Sequence, residues 1–145
     1  MDEGIVIREA REEDAAALAA LATHLGYPTE ERAMRARMER ICASPDRHTL
    51  AAERGGRVVA MAGVVWGWPY THDEPYARLT ILVVEPGERG KGTGAALVAA
   101  AERWARERGA GSIHVTTALH RDGAHRFYER LGYARTGLRF LKTLA

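Results

Sequence analysis

The chain has 145 residues, of which 46% are hydrophobic and 28% charged, and its formal net charge is +2. This length and composition predict a single globular domain rather than a disordered segment, and so small a net charge gives no reason to expect a nucleic-acid partner. No apolar run approaches the length of a membrane span, and Cys42, the single cysteine, allows no internal disulfide, so we expect a cytoplasmic protein without a membrane partner.

The first half of the chain predicts a strand, two helices and a hairpin. Apolar residues at helical spacing mark both helices, and Thr29 is expected to cap the second one. The pair Gly55-Gly56 between two apolar runs predicts the hairpin turn. The elements expected here are a strand at Gly4–Arg8, a helix from Glu12 to about Leu25, a helix beginning at Thr29 and carrying Met34, Met38 and Ile41, and strands at His48–Glu53 and Arg57–Val65.

The second half predicts strands that alternate with helices after an aromatic loop. A helix between two strands predicts that those strands pair in parallel. The order β-α-α-β-β-β-α-β-α-β, without an internal repeat, predicts one α/β (α+β) domain over residues 1–145. The elements expected here are a loop at Trp66–Tyr76, a strand at Arg78–Glu85, a helix from Thr93 to about Arg108, a strand at Ser112–Thr117, a helix at Gly123–Arg130 and a last strand at about Ala134–Leu141.

The stretch LTILVVEPGERGKGTG, from Leu79 to Gly94, organises the rest of the chain. An apolar strand ends before Pro86, and glycines at alternate positions then lead into a helix. Glycine keeps no Cβ between a ligand and the backbone, and a helix start leaves its N–H groups unpaired. These features predict a site for an anion, most naturally phosphate. A P-loop is excluded because Lys91 is followed by glycine, and a dinucleotide fingerprint is excluded by the strict alternation of the glycines.

Two motifs together resemble the GNAT superfamily of N-acetyltransferases, which bind acetyl-coenzyme A. The Arg-x-x-Gly-x-Gly pattern from Arg89 to Gly94 resembles the pyrophosphate-binding motif of that family, and Ala124–Tyr133 resembles its A-x-x-F-Y-x-x-L-G-[FY] segment. The second motif follows the next predicted strand, as the family order requires. The resemblance implies a GNAT-like domain whose mixed, mostly antiparallel sheet has about six or seven strands with four helices, and whose parallel pair splays at the cofactor.

The resemblance also implies roles for residues around the cofactor. Backbone groups of Leu82 and Val84 would bind the pantetheine arm, and an N–H near Val83 or Val84 would polarise the thioester carbonyl. Tyr128 would donate a proton to the departing thiolate, whereas Arg121 stands where many relatives carry Asn. The residues expected to bind acetyl-coenzyme A are Leu82, Val83, Val84, Arg89, Gly90, Lys91, Gly92, Thr93, Gly94, Arg121 and Tyr128.

The chain departs from the family pattern at the positions where many relatives carry the general base. Many relatives carry a glutamate at the positions that match Arg78 and Thr80, and neither residue is acidic here. We therefore expect the amine to lose its proton through water held by Thr80 or to a group of the aromatic loop. His72 has suitable chemistry there because histidine titrates near neutral pH, and Asp73 and Glu74 compete with it. An ordinary polar loop is the alternative explanation for these three residues.

The acceptor is expected to enter opposite the coenzyme, beside Tyr27, Trp66, Trp68 and Tyr70, since aromatic faces suit a cationic amine. Core packing or a dimer contact would explain these aromatic residues as well. We expect a small-molecule amine as the acceptor. The alternatives are acetylation of protein lysines or N-termini, a non-catalytic acyl-coenzyme A binder, and a nucleotide-binding protein. No histidine or cysteine spacing predicts a metal site, and the family resemblance makes a homodimer an open possibility.

Overall fold

The computed structural model describes residues 4–116 and 122–144. The chain divides into two compact units, Met1–His114 and Val115–Ala145, and whether they act as one domain stays a prediction. The predicted site residue Arg121 lies outside the described residues. The helices and strands are β1 (Ile5–Glu9), α1 (Ala15–Leu25), α2 (Glu31–Cys42), β2 (Arg47–Arg54), β3 (Arg57–Gly67), β4 (Tyr76–Val84), α3 (Thr93–Glu107), β5 (Ser112–Val115) and α4 (Asp122–Arg130).

The strands form one sheet in the order β1-β2-β3-β4-β5. The first four strands pair antiparallel, each with its neighbour along the chain. The predicted hairpin is confirmed: Arg54 pairs with Arg57, and the turn between them places Gly55 and Gly56 at φ angles of 61° and 76°, which suit glycine. Helix α3 carries the chain from β4 to β5, the kind of crossover that parallel pairing needs.

The strand β3 lies at the centre of the core, since every residue from Val58 to Val64 is buried. One hydrophobic cluster packs α1 and α2 against the sheet and includes Leu18, Met38 and Met61. Helix α3 also packs on β3 and β4. Its buried residue Leu97 is not a member of the cluster formed by α1 and α2, so α3 covers the other face of the sheet. The helices on both faces hold β4, and with it the start of the glycine turn, in place.

The prediction of a last strand at Ala134–Leu141 is wrong for the described residues. Residues 131–144 form no strand, and Leu138, Phe140 and Leu141 are exposed. Alternating apolar residues favour an extended chain, but a strand forms only where a neighbour pairs with its backbone, and no described strand pairs with this segment. The described sheet therefore has five strands instead of the six or seven expected.

The turn between α1 and α2 also differs from its prediction. The residue before α2 is Glu30, so Thr29 is not its N-cap. The Thr29 hydroxyl instead donates to the Tyr27 carbonyl at 2.7 Å, and the Thr29 N–H donates to Thr23 Oγ1 at 3.1 Å. These bonds close a compact turn, because a short hydroxyl side chain can satisfy nearby backbone groups as readily as a helix start.

Candidate active site

The glycine turn connects the end of β4 to the start of α3. A single 3-10 turn at Pro86–Glu88 follows β4, and Gly92 is the residue before α3. Gly90 and Gly92 have φ angles of 81° and 83°, in the left-handed region that other residues avoid. A Cβ on either glycine would meet no atom within 4 Å, so the face of the turn is open. The glycines are therefore needed for the backbone path and leave room for a ligand.

The amide groups of this turn point to an anion site. Ala96 N–H donates to the Gly92 carbonyl at 3.0 Å, and Arg89 N–H donates to the Pro86 carbonyl at 3.4 Å. Over the described part of the chain, the N–H groups of residues 90–95 donate to no protein acceptor. They stand at the start of α3, where the helix dipole is positive. Since phosphate oxygens accept hydrogen bonds from such amides, the turn fits the diphosphate of a coenzyme.

A buried carboxylate lies beside the same turn. Glu88 Oε1 accepts hydrogen bonds from Arg54 Nε at 2.8 Å and from the Thr93 hydroxyl at 3.1 Å, and Lys91 Nζ lies 4.0 Å from Oε2. The bond from Arg54 lowers the pKa of Glu88, so Glu88 is a carboxylate at neutral pH. The Thr93 hydroxyl proton is thereby engaged, so the donor that Thr93 can offer to a phosphate oxygen is its backbone N–H. Sequence reasoning missed Glu88 because its partner Arg54 is 34 positions away.

One edge of β4 extends beyond β5. The strand β5 has four residues and β4 has nine, and Gly111 N–H donates to the Pro75 carbonyl at 2.9 Å, so β5 begins beside the start of β4. Among the strands that the structure describes, none lies on this edge near Leu82 and Val84, which are half-buried, while Val83 is buried. This edge is where the pantetheine arm is predicted to bind, and the roles of the three residues stay predictions.

A bulge interrupts the pairing of β3 with β4 at Thr80. Gly63 pairs with Ile81 and Val64 pairs with Leu79, so Thr80 has no counterpart on β3. Thr80 Oγ1 lies only 2.8 Å from the position that a Cβ on Gly63 would occupy. A bulge redirects a side chain and takes backbone groups out of the ladder, and such irregularities are frequent next to active sites.

A cavity of about 480 Å³ lies between the α1–α2 turn, α2 and the sheet. This volume suits a small molecule. Because Gly63 and Thr80 line the cavity, it reaches the bulge of β4. Its lining residues include Tyr27, Pro28, Thr29, Met34, Arg37, Met38, Ile41, Arg47, Thr49, Met61, Gly63, Thr80 and Ile81.

Of the four aromatic residues predicted to contact the acceptor, Tyr27 lines this cavity. Trp66 lies near the end of β3, and its Nε1 donates to the Arg108 carbonyl at 3.1 Å, while the Arg108 guanidinium lies 5.2 Å from the Trp66 ring. Trp68 packs edge-on against Trp66 at 5.2 Å, and Tyr70 is fully exposed. The structure therefore ties the two tryptophans to the end of α3 and does not bring them, or Tyr70, to the cavity.

The loop candidates for the general base are placed away from the cavity lining. His72 is exposed, with Nδ1 2.9 Å from the Thr71 hydroxyl. Asp73 is exposed, and the Glu74 side chain covers Gly111, where an added Cβ would meet Glu74 Cβ at 3.1 Å. Of the groups proposed to take the proton of the amine, Thr80 is the one that the structure brings to the cavity.

Tyr128 belongs to the second unit, where α4 carries it. Its side chain is only 8% exposed and packs edge-on against the rings of Phe127 at 5.1 Å and Tyr133 at 5.6 Å. Burial raises the pKa of Tyr128 to about 12, so the phenol keeps its proton at neutral pH. A protonated phenol can act as a proton donor, and the role of Tyr128 at the thioester sulfur stays a prediction.

A family model described as the acetyltransferase (GNAT) family matches residues 7–133. The chain is 38% identical over 100 residues to an aminoalkylphosphonate N-acetyltransferase of Salmonella typhimurium, a match that covers 69% of this chain and 65% of the relative. A solved transcriptional regulator from Bacillus halodurans C-125 superposes with a TM-score of 0.86 at 27% identity, over 96% of this chain and 100% of that one. The aminoglycoside N-acetyltransferase AAC(6')-Iy in complex with CoA gives a TM-score of 0.86 at 19% identity, over 98% of this chain and 95% of that one.

The match extends over both motifs that carried the resemblance. Residues 7–133 include the glycine turn with its open amides and the segment around Tyr128. The cofactor of the family is acetyl-coenzyme A, and the turn that follows β4 fits its diphosphate. Sequence pattern, fold and turn geometry thus agree, and the chain belongs to the acetyltransferase (GNAT) family.

Proposed function

We propose that this chain transfers the acetyl group of acetyl-coenzyme A to the primary amine of a small molecule, by direct attack while both are bound. The observation that carries the proposal is that the cavity reaches Thr80, on the same strand whose end leads into the glycine turn. One strand, β4, thus connects a place for the acceptor with a place for the cofactor. Holding two reactants together in this way supplies much of the acceleration of a bimolecular reaction.

The Salmonella relative supports a small-molecule acceptor, since its name describes the acetylation of aminoalkylphosphonates. The match spans 65% of that relative, so its own substrate enters here as support and not as an assignment. The cavity volume of about 480 Å³ is in the range of ligand sites and favours a small molecule over a protein surface.

In the proposed reaction, bound acetyl-coenzyme A supplies the acetyl group as a thioester. The acceptor nitrogen forms a bond to the acetyl carbon, the carbon–sulfur bond breaks, and Tyr128 donates a proton to the departing sulfur. The nitrogen loses one proton as the amide forms, and this proton, passed through water, restores the phenol of Tyr128. A backbone N–H near Val83 or Val84 stabilises the charge on the carbonyl oxygen. The ammonium form of the acceptor first loses its proton to solvent through water held by Thr80, the candidate group that lines the cavity. Tyr128 is protonated at neutral pH, as a donor must be, and burial, which raises its pKa to about 12, makes it a weaker acid than an exposed phenol.

The proposal is tested by measuring coenzyme A release, with a thiol reagent, from acetyl-coenzyme A and a panel of small amines and a lysine peptide. We expect release that depends on a small amine and is far slower with the peptide. Release with the peptide alone would favour a protein acetyltransferase. Coenzyme A binding without release for any amine would reject an acetyltransferase.

A non-catalytic acyl-coenzyme A binder that regulates a partner is the second candidate. Two observations favour it: the likeness at 27% identity to a solved transcriptional regulator, and the absence of an acidic residue at positions 78 and 80. The coenzyme A release assay separates this candidate from the enzyme. A nucleotide-binding protein would instead be protected against heat by ATP and not by coenzyme A.

We further propose a cytoplasmic location and a homodimer. The single cysteine supports a reducing compartment, and aromatic residues such as the exposed Trp68 and Tyr70 suit a subunit contact. In the described ranges, the helices are all too short or too polar to cross a bilayer. Light scattering on the purified protein measures the subunit number, and a monomeric mass would reject the dimer.

A further inference from the structure

We call the cavity of about 480 Å³ the acceptor cavity, and the two permanently charged side chains of its lining are both positive. Arg37, on α2, and Arg47, the first residue of β2, both line the cavity. Among the residues that the structure describes, the lining includes no Asp or Glu. Its third basic residue is His48, whose Nδ1 lies 3.8 Å from Glu9 Oε1. The rest of the described lining is mainly apolar, with Met34, Met38 and Met61 among it. A cavity of this kind attracts an anionic group and disfavours a molecule with several positive charges.

The two guanidinium groups are not neutralised by nearby carboxylates of the described residues. Arg37 Nη1 donates to the Thr29 hydroxyl at 3.5 Å, and neither Arg37 nor Arg47 has a described carboxylate within 4.0 Å. The neighbouring carboxylates are engaged elsewhere, since Asp46 pairs with Arg108 at 3.5 Å and Glu31 pairs with Arg35 at 3.6 Å. Both cavity arginines are exposed, so their hydrogen-bond donors are accessible to a ligand.

The sheet register sets how far this charge lies from the bulge. Thr49 pairs with Gly63, which lies beside Thr80, and Arg47 is two residues before Thr49 on the same face of β2. With strands about 4.8 Å apart and residues about 3.3 Å apart, the backbone of Arg47 lies about 10 Å across and about 7 Å along the sheet from the bulge. The arginine side chain spans part of that separation, which leaves room for a molecule with a short chain between its anionic group and its amine.

We propose that the acceptor is an amine that carries an oxyanion at its other end, and that Arg37 and Arg47 bind this oxyanion. The proposal rests on the acetyl transfer proposed above and specifies its substrate class. The planar fork of arginine binds phosphonate, phosphate or carboxylate oxygens through paired, charge-assisted hydrogen bonds. Anchoring the oxyanion at the arginines directs the amine towards Thr80 and the bulge. Polycationic amines are poor acceptors, because the described cavity lining offers no carboxylate to bind their additional positive charges.

The first experiment compares acceptors that share the same short chain. These are 2-aminoethylphosphonate, β-alanine and ethanolamine, with spermidine as the polycation, each tested by coenzyme A release and, for binding, by calorimetry on the protein saturated with coenzyme A. We expect 2-aminoethylphosphonate or β-alanine to give a kcat/KM at least about tenfold above that of ethanolamine and spermidine. The first two compounds distinguish a phosphonate from a carboxylate.

The second experiment changes the arginines. Arg37→Gln and Arg47→Gln are each expected to raise the KM for the anionic amine by about tenfold, and to affect ethanolamine, which has no oxyanion to bind, far less. Arg47→Lys should restore only part of the loss, because lysine keeps the charge without the fork. Arg35→Gln is the matched control, since Arg35 lies on the same helix, pairs with Glu31 and does not line the cavity.

The outcomes separate this inference from the proposed function. Efficient acetylation of ethanolamine or spermidine, equal to that of the anionic amines, would overturn the oxyanion site and leave the acetyltransferase intact. Binding of 2-aminoethylphosphonate that Arg47→Gln abolishes, with no coenzyme A release from any amine tested, would support the site and overturn the transferase. No detectable binding of either anionic amine would overturn the inference, and so would equal KM values in the wild type and both glutamine variants.

Discussion

Thr80 Oγ1 occupies the space beside Gly63, 2.8 Å from where a Cβ on that glycine would stand. The two residues face each other across the bulge that separates the Gly63–Ile81 pair from the Val64–Leu79 pair. Both line the acceptor cavity. Because Gly63 has no side chain, the hydroxyl of Thr80 can lie where the cavity meets β4.

Gly63→Ala should impair the use of the acceptor amine and leave coenzyme A binding unchanged. The added methyl group would meet Thr80 Oγ1 at 2.8 Å and Ile81 Cγ2 at 3.1 Å, so the Thr80 side chain must move. We expect kcat/KM for the amine to fall about tenfold, stability to fall by about 1 to 3 kcal/mol, and the Kd for coenzyme A to change little. Steady-state kinetics and calorimetry measure both effects.

A double-mutant cycle tests whether Thr80 is the group displaced. In a Thr80→Ala background the hydroxyl is already absent, so adding Gly63→Ala should cost less stability than it does in the wild type. Chemical denaturation measures the two differences. Equal costs in both backgrounds would show that the two side-chain positions do not interact, and the interpretation of the bulge would be wrong.

Gly92→Ala should weaken coenzyme A binding through the backbone. Gly92 has a φ of 83°, a conformation that costs an alanine about 1 to 2 kcal/mol, and it stands directly before α3 among the open amides. Relaxation of this strain would turn the N–H groups away from the diphosphate. We expect an increase of about tenfold in the Kd for coenzyme A, measured by calorimetry.

Gly87→Ala is the matched control for the glycine turn. Gly87 lies in the preceding 3-10 turn, is not among the glycines with positive φ, and has open space where a Cβ would be. An alanine there should bind coenzyme A as the wild type does. If both alanine variants bound coenzyme A like the wild type, the diphosphate would not lie on the amides of this turn.

Much of this architecture could be predicted from local sequence, because short-range patterns determine it. Two consecutive glycines between apolar runs predicted the β2–β3 hairpin, and the glycine-rich stretch predicted a helix start at Thr93, which the structure confirms. Apolar spacing likewise predicted α1. In each case the residues that decide the conformation are neighbours along the chain.

The features that could not be predicted depend on distant residues. The Glu88 carboxylate is held by Arg54, and the bulge at Thr80 exists only relative to Gly63 on another strand. The arginines of the acceptor cavity come from two elements, and neither has a motif of its own. The last strand was predicted from alternation alone, although pairing with a neighbour decides whether a strand forms.

Glu88→Gln should destabilise the fold at neutral pH, because it leaves Arg54 without the carboxylate that accepts its hydrogen bonds. Hydrogen bonding to Arg54 lowers the pKa of Glu88, so this stabilisation is present above the unfolded pKa, about 4.3, and is lost as the pH falls through the folded value. We expect the Tm of the variant to be lower than that of the wild type at neutral pH, and the gap to close in acid.

Glu85→Gln provides the comparison for Glu88. Glu85 pairs with Arg57, which is 66% exposed, and water weakens such a pair. Its Tm should therefore fall less than that of Glu88→Gln at neutral pH. A Tm difference between wild type and Glu88→Gln that stayed constant from neutral pH into acid would show that the charge of Glu88 does not stabilise the fold.

His72→Ala should leave the pH–rate profile unchanged. His72 is exposed and contacts Thr71, whereas Thr80 lines the cavity, so we expect water beside Thr80 to take the proton of the amine. The measurement is kcat/KM as a function of pH for both proteins with one amine. Loss of the acidic limb in the variant would identify His72 as the base, since histidine titrates in that range.

Tyr128→Phe should lower kcat by about 10²-fold or more, which is the rate factor that a general acid typically contributes, and should not change the Kd for coenzyme A. The matched control Tyr133→Phe, in the same unit, should keep its turnover. Because burial raises the pKa of Tyr128 to about 12, the native state holds its proton above about pH 10, where the unfolded chain loses it, so the wild type should lose stability there. Tyr128→Phe should lose less stability over the same pH range. Unchanged kcat in Tyr128→Phe would remove this residue from the reaction.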